Sequence, residues 1–229
     1  MRCIVSCAVG GRYRPYGERL LASLHEPAGY TGSTFVWFDQ WPPGSPAHRD
    51  MHYAFKFYAV KDALERGYTR VMWLDSAVYA VQAVENVWEE TSRRGIYIAA
   101  GDEPLGEWIS DQALDYFKVG RDEAMKERLC GGAIVGLDLA HAAAQEFFEW
   151  WGRLAKSGLF VTAHSKHAPD RMRSLLVSDL DEGLVLSSDP RVKGHRSDEA
   201  CYALMLKRLG VAAVKAEDWN RYMRSGYNL

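Results

Sequence analysis

Apolar runs of strand length alternate with segments of helical period over the first hundred residues. The predicted strands cover residues 2–9, 33–39, 70–74 and 96–100, and the predicted helices begin at about Tyr16, span about 51–66 and begin at about Val84. The order βαβαβαβ implies a mostly parallel sheet with right-handed crossovers and helices on both faces. We therefore expect an α/β fold.

The second half of the chain is less regular. Helices are predicted over 111–117, over 122–129, from about Ala143 and over about 198–209, and a strand is predicted over 131–137 after two glycines. Residues 158–196 mix prolines, glycines and scattered charges, which predicts a long irregular segment with short strands near 159–163 and 184–186. We expect one domain over 1–229, with a flexible segment at about 164–196.

Charge and cysteine content exclude several classes of protein. The 28 Lys and Arg residues nearly balance the 30 Asp and Glu residues, which excludes a globally basic nucleic-acid coat but not a local basic patch. The four cysteines form no CxxC pair, and three of them lie in apolar runs, so they are predicted to be reduced core thiols. No run approaches the ~20 apolar residues of a membrane helix, and no secretory leader is recognisable, so we expect a soluble, cytoplasmic protein.

Polar residues follow the first three predicted strands. Gly10 and Gly11 come after the first strand, Asp39 after the second and Asp75 after the third. Ligands of open parallel sheets bind beyond the carboxyl ends of the strands, and glycines there allow a close approach to the backbone. Side chains in the first loop that suit a phosphate or a ring are Arg12, Tyr13 and Arg14. The chain has no GxGxxG or GxxxxGK[ST] motif, which disfavours a dinucleotide dehydrogenase or a P-loop NTPase.

Asp75 is the most informative of these residues. It ends the hydrophobic run 70–74, and the apolar pattern resumes at Val78, so the carboxylate is expected to be held rigidly at the edge of the sheet. An aspartate at such a position also serves as a turn residue or a helix cap. The residues alone leave a binding role and a capping role both open.

Five segments in this order resemble the GT-A class of glycosyltransferases, which use nucleotide-diphosphate sugars. They are Val9-Gly10-Gly11-Arg12-Tyr13 followed by Arg19 to Leu24, Lys56 with the helix Ala59 to Leu64, Val71 to Val78, Gly131 to Gly136, and Gly194-His195-Arg196-Ser197-Asp198-Glu199. The resemblance implies a single GT-A-like (Rossmann-like) domain with an irregular C-terminal acceptor-side region. Residues 1–102 would form the nucleotide-sugar-binding half and residues 103–229 the acceptor-side half.

The resemblance also implies an activity and a set of site residues. A hexosyltransferase would move a sugar from a nucleotide-diphosphate donor, most simply a UDP-sugar, to a hydroxyl acceptor. The implied donor-binding residues are Ala8, Gly10, Arg12, Tyr13, Asp39, Lys56, Asp75, Ser76 and Ala77, and the implied acceptor-binding residues are Gly131 and Gly132. The candidates for the carboxylate that takes the acceptor proton are Asp198, Asp111 and Glu199. Residues 197–199 equally suit the first turn of a helix, where hydroxyls cap and acids complement the dipole.

One departure from the family concerns the metal. Members of the class carry an Asp-x-Asp pair that holds a divalent ion, and here Ala77 stands at the second position. The resemblance then implies that Asp75 and His195 hold Mn²⁺ or Mg²⁺. In a metal-independent variant the diphosphate would instead be neutralised by Lys56, Arg12, Arg14 or Arg196.

The acceptor and the activity itself have alternatives. The later half is rich in basic residues, namely Arg121, Lys126, Arg128, Lys166, Arg171, Arg173, Arg191, Lys193 and Arg196. Such a set keeps a modified DNA base open as acceptor beside a saccharide or a lipid-linked glycan. The missing second acid at Ala77 also keeps open a catalytically idle module that binds a nucleotide sugar or a carbohydrate. A nucleotidyltransferase is disfavoured because the first loop carries arginine and tyrosine rather than lysine.

Overall fold

A computed structural model describes residues 1–160, 162–164 and 186–226. The elements of the first half are β1 (Arg2–Cys7), α1 (Arg14–His25), β2 (Ser33–Trp37), α2 (Ala54–Glu65), β3 (Arg70–Leu74), β4 (Val78–Ala80), α3 (Glu85–Arg94), β5 (Ile96–Tyr97) and β6 (Ala100–Pro104). Those of the second half are a short 3-10 helix (Leu105–Glu107), α4 (Asp111–Phe117), α5 (Arg121–Ala124), β7 (Arg128–Cys130), β8 (Ile134–Asp138), α6 (Ala142–Ser157), β9 (Thr162–His164), β10 (Gly194–Arg196), α7 (Ser197–Leu209), α8 (Ala216–Asn220) and β11 (Met223–Ser225). Within the described ranges, no helix has the length and apolar character needed to cross a membrane.

The central sheet has five strands in the order β2-β1-β3-β8-β5. Strand β1 pairs in parallel with β2 and β3, whereas β8 runs antiparallel to β3 and to β5. The predicted α/β class with a mostly parallel sheet is confirmed. Strand β8 is reversed because the excursion after β5 returns the chain to the edge where β3 ends, so that Leu74 pairs with Ile134.

Side chains of the sheet alternate between two hydrophobic cores. Cys3, Val5 and Trp73 pack with residues of α2, α6 and α7, whereas Ile4 and Met72 pack with residues of α1 and α3. Successive residues of a strand point to opposite faces, and these strands are apolar on both. Helices therefore cover both faces of the sheet, as the sequence predicts.

The largest error in predicted secondary structure lies at 122–129. The helix ends at Ala124, and Arg128–Cys130 forms a strand that pairs antiparallel with β6. Leu129 and Cys130 are buried in the core beside α7, so tertiary packing outweighs the local helical pattern. The strand predicted over 96–100 is divided between β5 and β6. Most of the segment predicted to be flexible, residues 165–185, lies outside the described residues.

All four cysteines are buried and unpaired. Burial raises the pKa of the Cys3, Cys7 and Cys130 thiols to about 12, so they stay protonated at neutral pH. The prediction of reduced core thiols is confirmed.

Candidate functional site

Residues from four distant segments meet at the carboxyl end of β3. The Lys56 ammonium, on the first turn of α2, lies 3.1 Å from Asp75 Oδ1 and 2.9 Å from Asp198 Oδ2. It also donates a hydrogen bond of 2.9 Å to the carbonyl oxygen of Gly132. We call Lys56, Asp75, Asp198 and Gly132 the Lys56 cluster. The sequence singles out all four as site residues, and the structure brings them together.

The charges of the cluster explain how a lysine can be buried there. The Lys56 side chain is only 2% exposed, and an unpaired buried ammonium costs several kcal/mol. Burial by itself lowers the pKa of Lys56, but the carboxylates of Asp198 and Asp75 outweigh burial, so the pKa is raised. Lys56 therefore carries its proton at every physiological pH, and it holds the two carboxylates in place.

Asp75 is the member of the cluster that faces solvent. Its side chain is 32% exposed, against 3% for Asp198. The Asp75 N–H donates to the carbonyl of Ala133 at 2.8 Å, and Oδ1 accepts from the indole N–H of Trp73 at 2.8 Å. The carboxylate is thus fixed in orientation while part of it stays open to a ligand.

The backbone is strained at both helices that contribute to the cluster. Tyr53, which precedes α2, has φ +56°, and Ser197, the first residue of α7, has φ +27°. Positive φ is uncommon for residues other than glycine, and strained residues concentrate at functional sites. The other positive φ of a non-glycine residue in the described ranges, at Lys118, is the ordinary left-handed end of α4.

A second layer of charge adjoins the cluster at Gly132. Glu199 Oε1 accepts the N–H of Gly132 at 3.3 Å, and Glu199 Oε2 lies 2.7 Å from Arg196 Nε. Arg196 Nη1 also donates to Glu103 at 2.8 Å. The backbone of Gly132 is therefore held on both sides, by Lys56 at its carbonyl and by Glu199 at its N–H.

Gly132 must be glycine for the cluster to close. A Cβ there would lie 2.8 Å from Asp198 Oδ2 and 3.1 Å from Lys56 Nζ, whereas a Cβ on Gly131 would meet nothing nearer than the Ala99 carbonyl at 3.8 Å. We expect Gly132→Ala to lower the free energy of unfolding by about 1–3 kcal/mol, because locked side chains must move. Urea denaturation measures the change, with Gly131→Ala as the matched control. Equal effects of the two substitutions would contradict the close approach at Gly132.

Glu199 makes stability depend on pH. Burial raises the pKa of its carboxyl from 4.5 to about 7, although Arg196 opposes the shift. Between these two values the folded protein binds a proton that the unfolded chain has lost, so the contribution of Glu199 to the free energy of unfolding falls as pH rises from 4.5 to about 7, opposite in sign to that of the buried His195, whose pKa is lowered. We expect Glu199→Gln to remove this contribution, so that its stability relative to the wild type increases over this pH range and exceeds it near pH 8 by up to about 3 kcal/mol. Denaturation at a series of pH values measures this pH dependence of the free energy of unfolding.

Glu65→Gln is the control, because Glu65 is an exposed carboxylate of α2, and this variant should keep the wild-type slope. An unchanged slope in Glu199→Gln would refute the assignment.

The glycine turn after β1 leads directly into α1. Gly10 has φ +97°, which suits glycine, and its carbonyl accepts the N–H groups of Tyr13 and Arg14 at 3.0 and 3.2 Å. The Arg14 guanidinium pairs with Asp39 at 2.5 Å. This pair joins the loops that follow β1 and β2.

The other predicted donor-binding residues differ in exposure. Arg12 and Tyr13 are exposed, and the Arg12 guanidinium lies 5.9 Å from the centre of the Tyr13 ring. Ala8, Ser76 and Ala77 are buried. Their side chains are therefore enclosed.

Asp111 does not belong to the Lys56 cluster. It is the first residue of α4, half of its side chain is exposed, and its carboxylate pairs with Arg121 Nη2 at 2.6 Å. The preceding Ser110 caps the helix, since its hydroxyl accepts the N–H of Ala113 at 3.2 Å. Asp111 thus begins the helix predicted over 111–117.

His195 has both ring nitrogens engaged by the backbone. Nδ1 accepts the N–H of Ser110 at 3.1 Å, and Nε2, which therefore carries the proton, donates to the Leu159 carbonyl at 2.7 Å. Burial lowers the pKa of His195, so the ring is neutral at physiological pH. In this arrangement His195 offers no lone pair to a metal ion.

The donor set at Asp75 does not fit a divalent metal. Asp75 Oδ1 already lies against the Lys56 ammonium and the Trp73 indole N–H, Ala77 offers no carboxylate, and His195 is committed to the backbone. Across the described ranges, no group of three or more His, Cys, Asp or Glu side chains is arranged to hold an ion. Lys56 supplies the positive charge at this carboxylate.

Sequence reasoning missed two contributors to the site. Trp73 lies two residues before Asp75 in an extended chain, so both side chains lie on the same face, and this spacing was a usable signal. The strained residue Tyr53, whose ring lies 4.9 Å from Lys56 Nζ, carries no local signal because its φ depends on packing.

Comparisons with known proteins find similarity at the level of structure. No family model matches the sequence, and no curated protein matches it. Among solved structures, mouse xyloside xylosyltransferase 1 is similar at 11% identity and a TM-score of 0.48, over 94% of this chain and 85% of that one. A glycosyltransferase involved in glycosylation of the major capsid of PBCV-1 is similar at 14% identity and 0.42, over 69% of each chain. The galactosyltransferase LgtC, in complex with donor and acceptor sugar analogs, is similar at 14% identity and 0.38, over 96% and 99%. These structures are glycosyltransferases, the class that the sequence motifs resemble, and we assign no residue role from them.

Proposed function

We propose that this protein is a glycosyltransferase that moves a sugar from a nucleotide-diphosphate donor, a UDP-sugar foremost, to a hydroxyl acceptor. The observation that carries the proposal is the Lys56 cluster. It gathers Lys56, Asp75, Asp198 and Gly132 at the edge where the parallel strands β1, β2 and β3 end. Ligands of such sheets bind at this edge, and these are residues that the motif resemblance assigns to donor binding, acceptor binding and catalysis.

Asp75 is proposed to contact the donor sugar. Sugar transfer develops positive charge at the anomeric carbon, and a carboxylate fixed in advance stabilises such charge without having to reorient. Asp75 suits this role because Lys56 and Trp73 hold it while its side chain stays 32% exposed. Asp198 is enclosed, and we assign it a positioning role through Lys56 rather than contact with substrate.

Glu199 is proposed to accept the proton of the acceptor hydroxyl. Its side chain is 22% exposed, whereas that of Asp198 is 3% exposed. Burial raises the pKa of Glu199 to about 7, and a base is most effective when its pKa lies near the working pH. Asp111, paired with Arg121 away from the cluster, has no part in this proposal.

The departing diphosphate is proposed to meet the glycine turn and its arginines. Gly10 exposes backbone there, and Arg12 and Arg14 are exposed beside it. The positive charge of Arg12 opposes the negative charge that develops on the leaving group, while Arg14, paired with Asp39, holds the turn in place. No step is assigned to Mn²⁺ or Mg²⁺, because the donor set at Asp75 does not fit either ion.

UDP release from a panel of UDP-sugars tests the function. Each donor is incubated with saccharide acceptors and with a duplex containing 5-hydroxymethylcytosine, with EDTA and with added Mn²⁺. We expect release with at least one donor, at rates that agree within about twofold between EDTA and Mn²⁺. Ala77, in place of a second acid, favours a second candidate function, a catalytically idle module that binds the nucleotide sugar. Binding of a UDP-sugar without release under any condition would establish that module and refute transfer.

A further inference from the structure

Ring side chains from the loop after β2 and from the first turn of α2 pack together beside the cluster. The ring centroids of Trp41 and Phe55 are 5.2 Å apart, those of His48 and Phe55 5.6 Å, and those of His48 and Tyr53 4.9 Å. All four side chains are partly exposed. We call Trp41, His48, Tyr53 and Phe55 the aromatic wall.

The aromatic wall leads directly to Asp75. Phe55 lies 5.7 Å from the ring of Trp73, whose indole N–H donates to the Asp75 carboxylate. The Tyr53 ring lies 4.9 Å from Lys56 Nζ. A molecule stacked on the wall would therefore reach the exposed carboxylate at the end of β3.

The aromatic wall carries no positive charge at neutral pH. Burial, with the neighbouring His52 and Lys56, lowers the pKa of His48 to about 4, although Asp198 opposes the shift. Burial lowers the pKa of His52, which stacks on His48 with ring centroids 5.0 Å apart. Both imidazoles are therefore neutral, and His48 also stacks on Trp41 with ring centroids 6.5 Å apart.

The charged groups of the Lys56 cluster and of the adjoining layer are predominantly acidic, and Arg49, which follows His48 in the chain, lies 3.6 Å from the carboxylate of Asp50. Lys56 and Arg196 stand against the carboxylates of Asp75, Asp198, Glu103 and Glu199. Binding of a polynucleotide depends on excess positive charge that neutralises phosphates. These surroundings favour the binding of an uncharged molecule.

Four of the basic residues predicted to attract DNA pair with carboxylates. Those with acidic partners are Arg121 with Asp111, Arg191 with Asp189 and Asp122, Lys193 with Glu107, and Arg196 with Glu103 and Glu199. Lys166, Arg171 and Arg173 lie outside the described residues. The described part of the chain therefore shows these four cations balanced by carboxylates.

We propose that the aromatic wall is the acceptor subsite and that it binds an uncharged saccharide. A pyranose ring presents a C–H face that stacks on aromatic rings, and hydroxyls at its rim that suit a carboxylate such as Glu199. The inference rests on the proposed function, since it names the acceptor class of the same site.

Direct binding of small sugars tests the subsite without requiring transfer. The probes are the methyl β-glycosides of glucose, galactose and mannose, and saturation-transfer NMR detects them on the wild type, Trp41→Ala, His48→Ala and Trp150→Ala in the presence of UDP. Trp150 is the matched control, because it is a partly buried tryptophan of α6 that lies between the guanidinium groups of Arg153 and Arg208. We expect at least one glycoside to bind the wild type and the control, and Trp41→Ala to weaken its binding by about tenfold or more.

Two further readouts separate the possible failures. Because Trp41 also packs against the core, His48→Ala is the second variant, and circular dichroism checks that both fold. In transfer assays both variants should raise the acceptor KM while the donor KM and UDP release without acceptor stay unchanged. If a saccharide binds but no donor is turned over, the proposed function is refuted and the subsite stands. If the donor is turned over with transfer to the hydroxymethylcytosine duplex and no saccharide binds, only the subsite is refuted. A raised donor KM in Trp41→Ala would also refute it.

Discussion

Replacing Lys56 with methionine is expected to lower the free energy of unfolding by about 3–5 kcal/mol, because it leaves two carboxylates without their cation. Asp198 is almost fully enclosed, so water cannot compensate for the lost charge. Urea denaturation measures the loss. Lys61→Met is the matched control on the same helix, since Lys61 pairs with Glu65 in an exposed i,i+4 ion pair worth about 0.5 kcal/mol.

A double substitution tests whether charge, rather than shape, causes that loss. Asp198→Asn combined with Lys56→Met removes one of the two stranded carboxylates, so the double variant should be more stable than Lys56→Met alone. The cluster would be refuted as an electrostatic unit if Lys56→Met were as stable as Lys61→Met, or if adding Asp198→Asn lowered stability further.

Asp75→Asn is expected to lower the rate of sugar transfer by about 10²–10³-fold, because it removes a fixed charge at the reacting sugar. Stability should change by only about 1 kcal/mol, since the side chain is partly exposed and Asp198 still neutralises Lys56. The measurement is kcat for transfer beside urea denaturation of the same preparation. Asp62→Asn is the control, because Asp62 also pairs with a cation, Arg66, at 2.6 Å but lies near the far end of α2.

The contradicting outcome for Asp75 is specific. If Asp75→Asn and Asp62→Asn had equal transfer rates, the carboxylate at the end of β3 would have no contact with the reacting sugar. If Asp75→Asn lost activity only in proportion to lost folded protein, its role would be structural.

The sequence predicted those parts of the fold and site that depend on local pattern. Strand 70–74 and helix 111–117 have the predicted bounds, since each is a strong run with clear ends. Asp75 was recognisable because a polar residue directly after a buried apolar strand lies at the carboxyl edge of the sheet, where ligands of parallel sheets bind. The helix start at 197–199 was visible from its acids, whereas the predicted hydroxyl cap is wrong, because Ser197 is the first helical residue and no side chain caps the helix.

Other features depend on contacts between distant segments and had no local signal. The reversal of β8 follows from where the excursion after β5 returns, and the strand at Arg128–Cys130 from its pairing with β6. The burial of Lys56 required two carboxylates and a carbonyl from elsewhere in the chain. The engagement of both nitrogens of His195 likewise depends on Ser110 and Leu159.

A crystal structure with UDP and an unreactive donor sugar analogue bound would test the central claim most directly. We predict the uridine diphosphate against the glycine turn that starts at Gly10, and the sugar with a hydroxyl about 3 Å from the Asp75 carboxylate. The Lys56 ammonium should keep its contacts with Asp75 and Asp198. A ligand bound away from the carboxyl ends of β1 and β3, or an Asp75 side chain turned from the sugar, would contradict the assignment of this edge as the donor site.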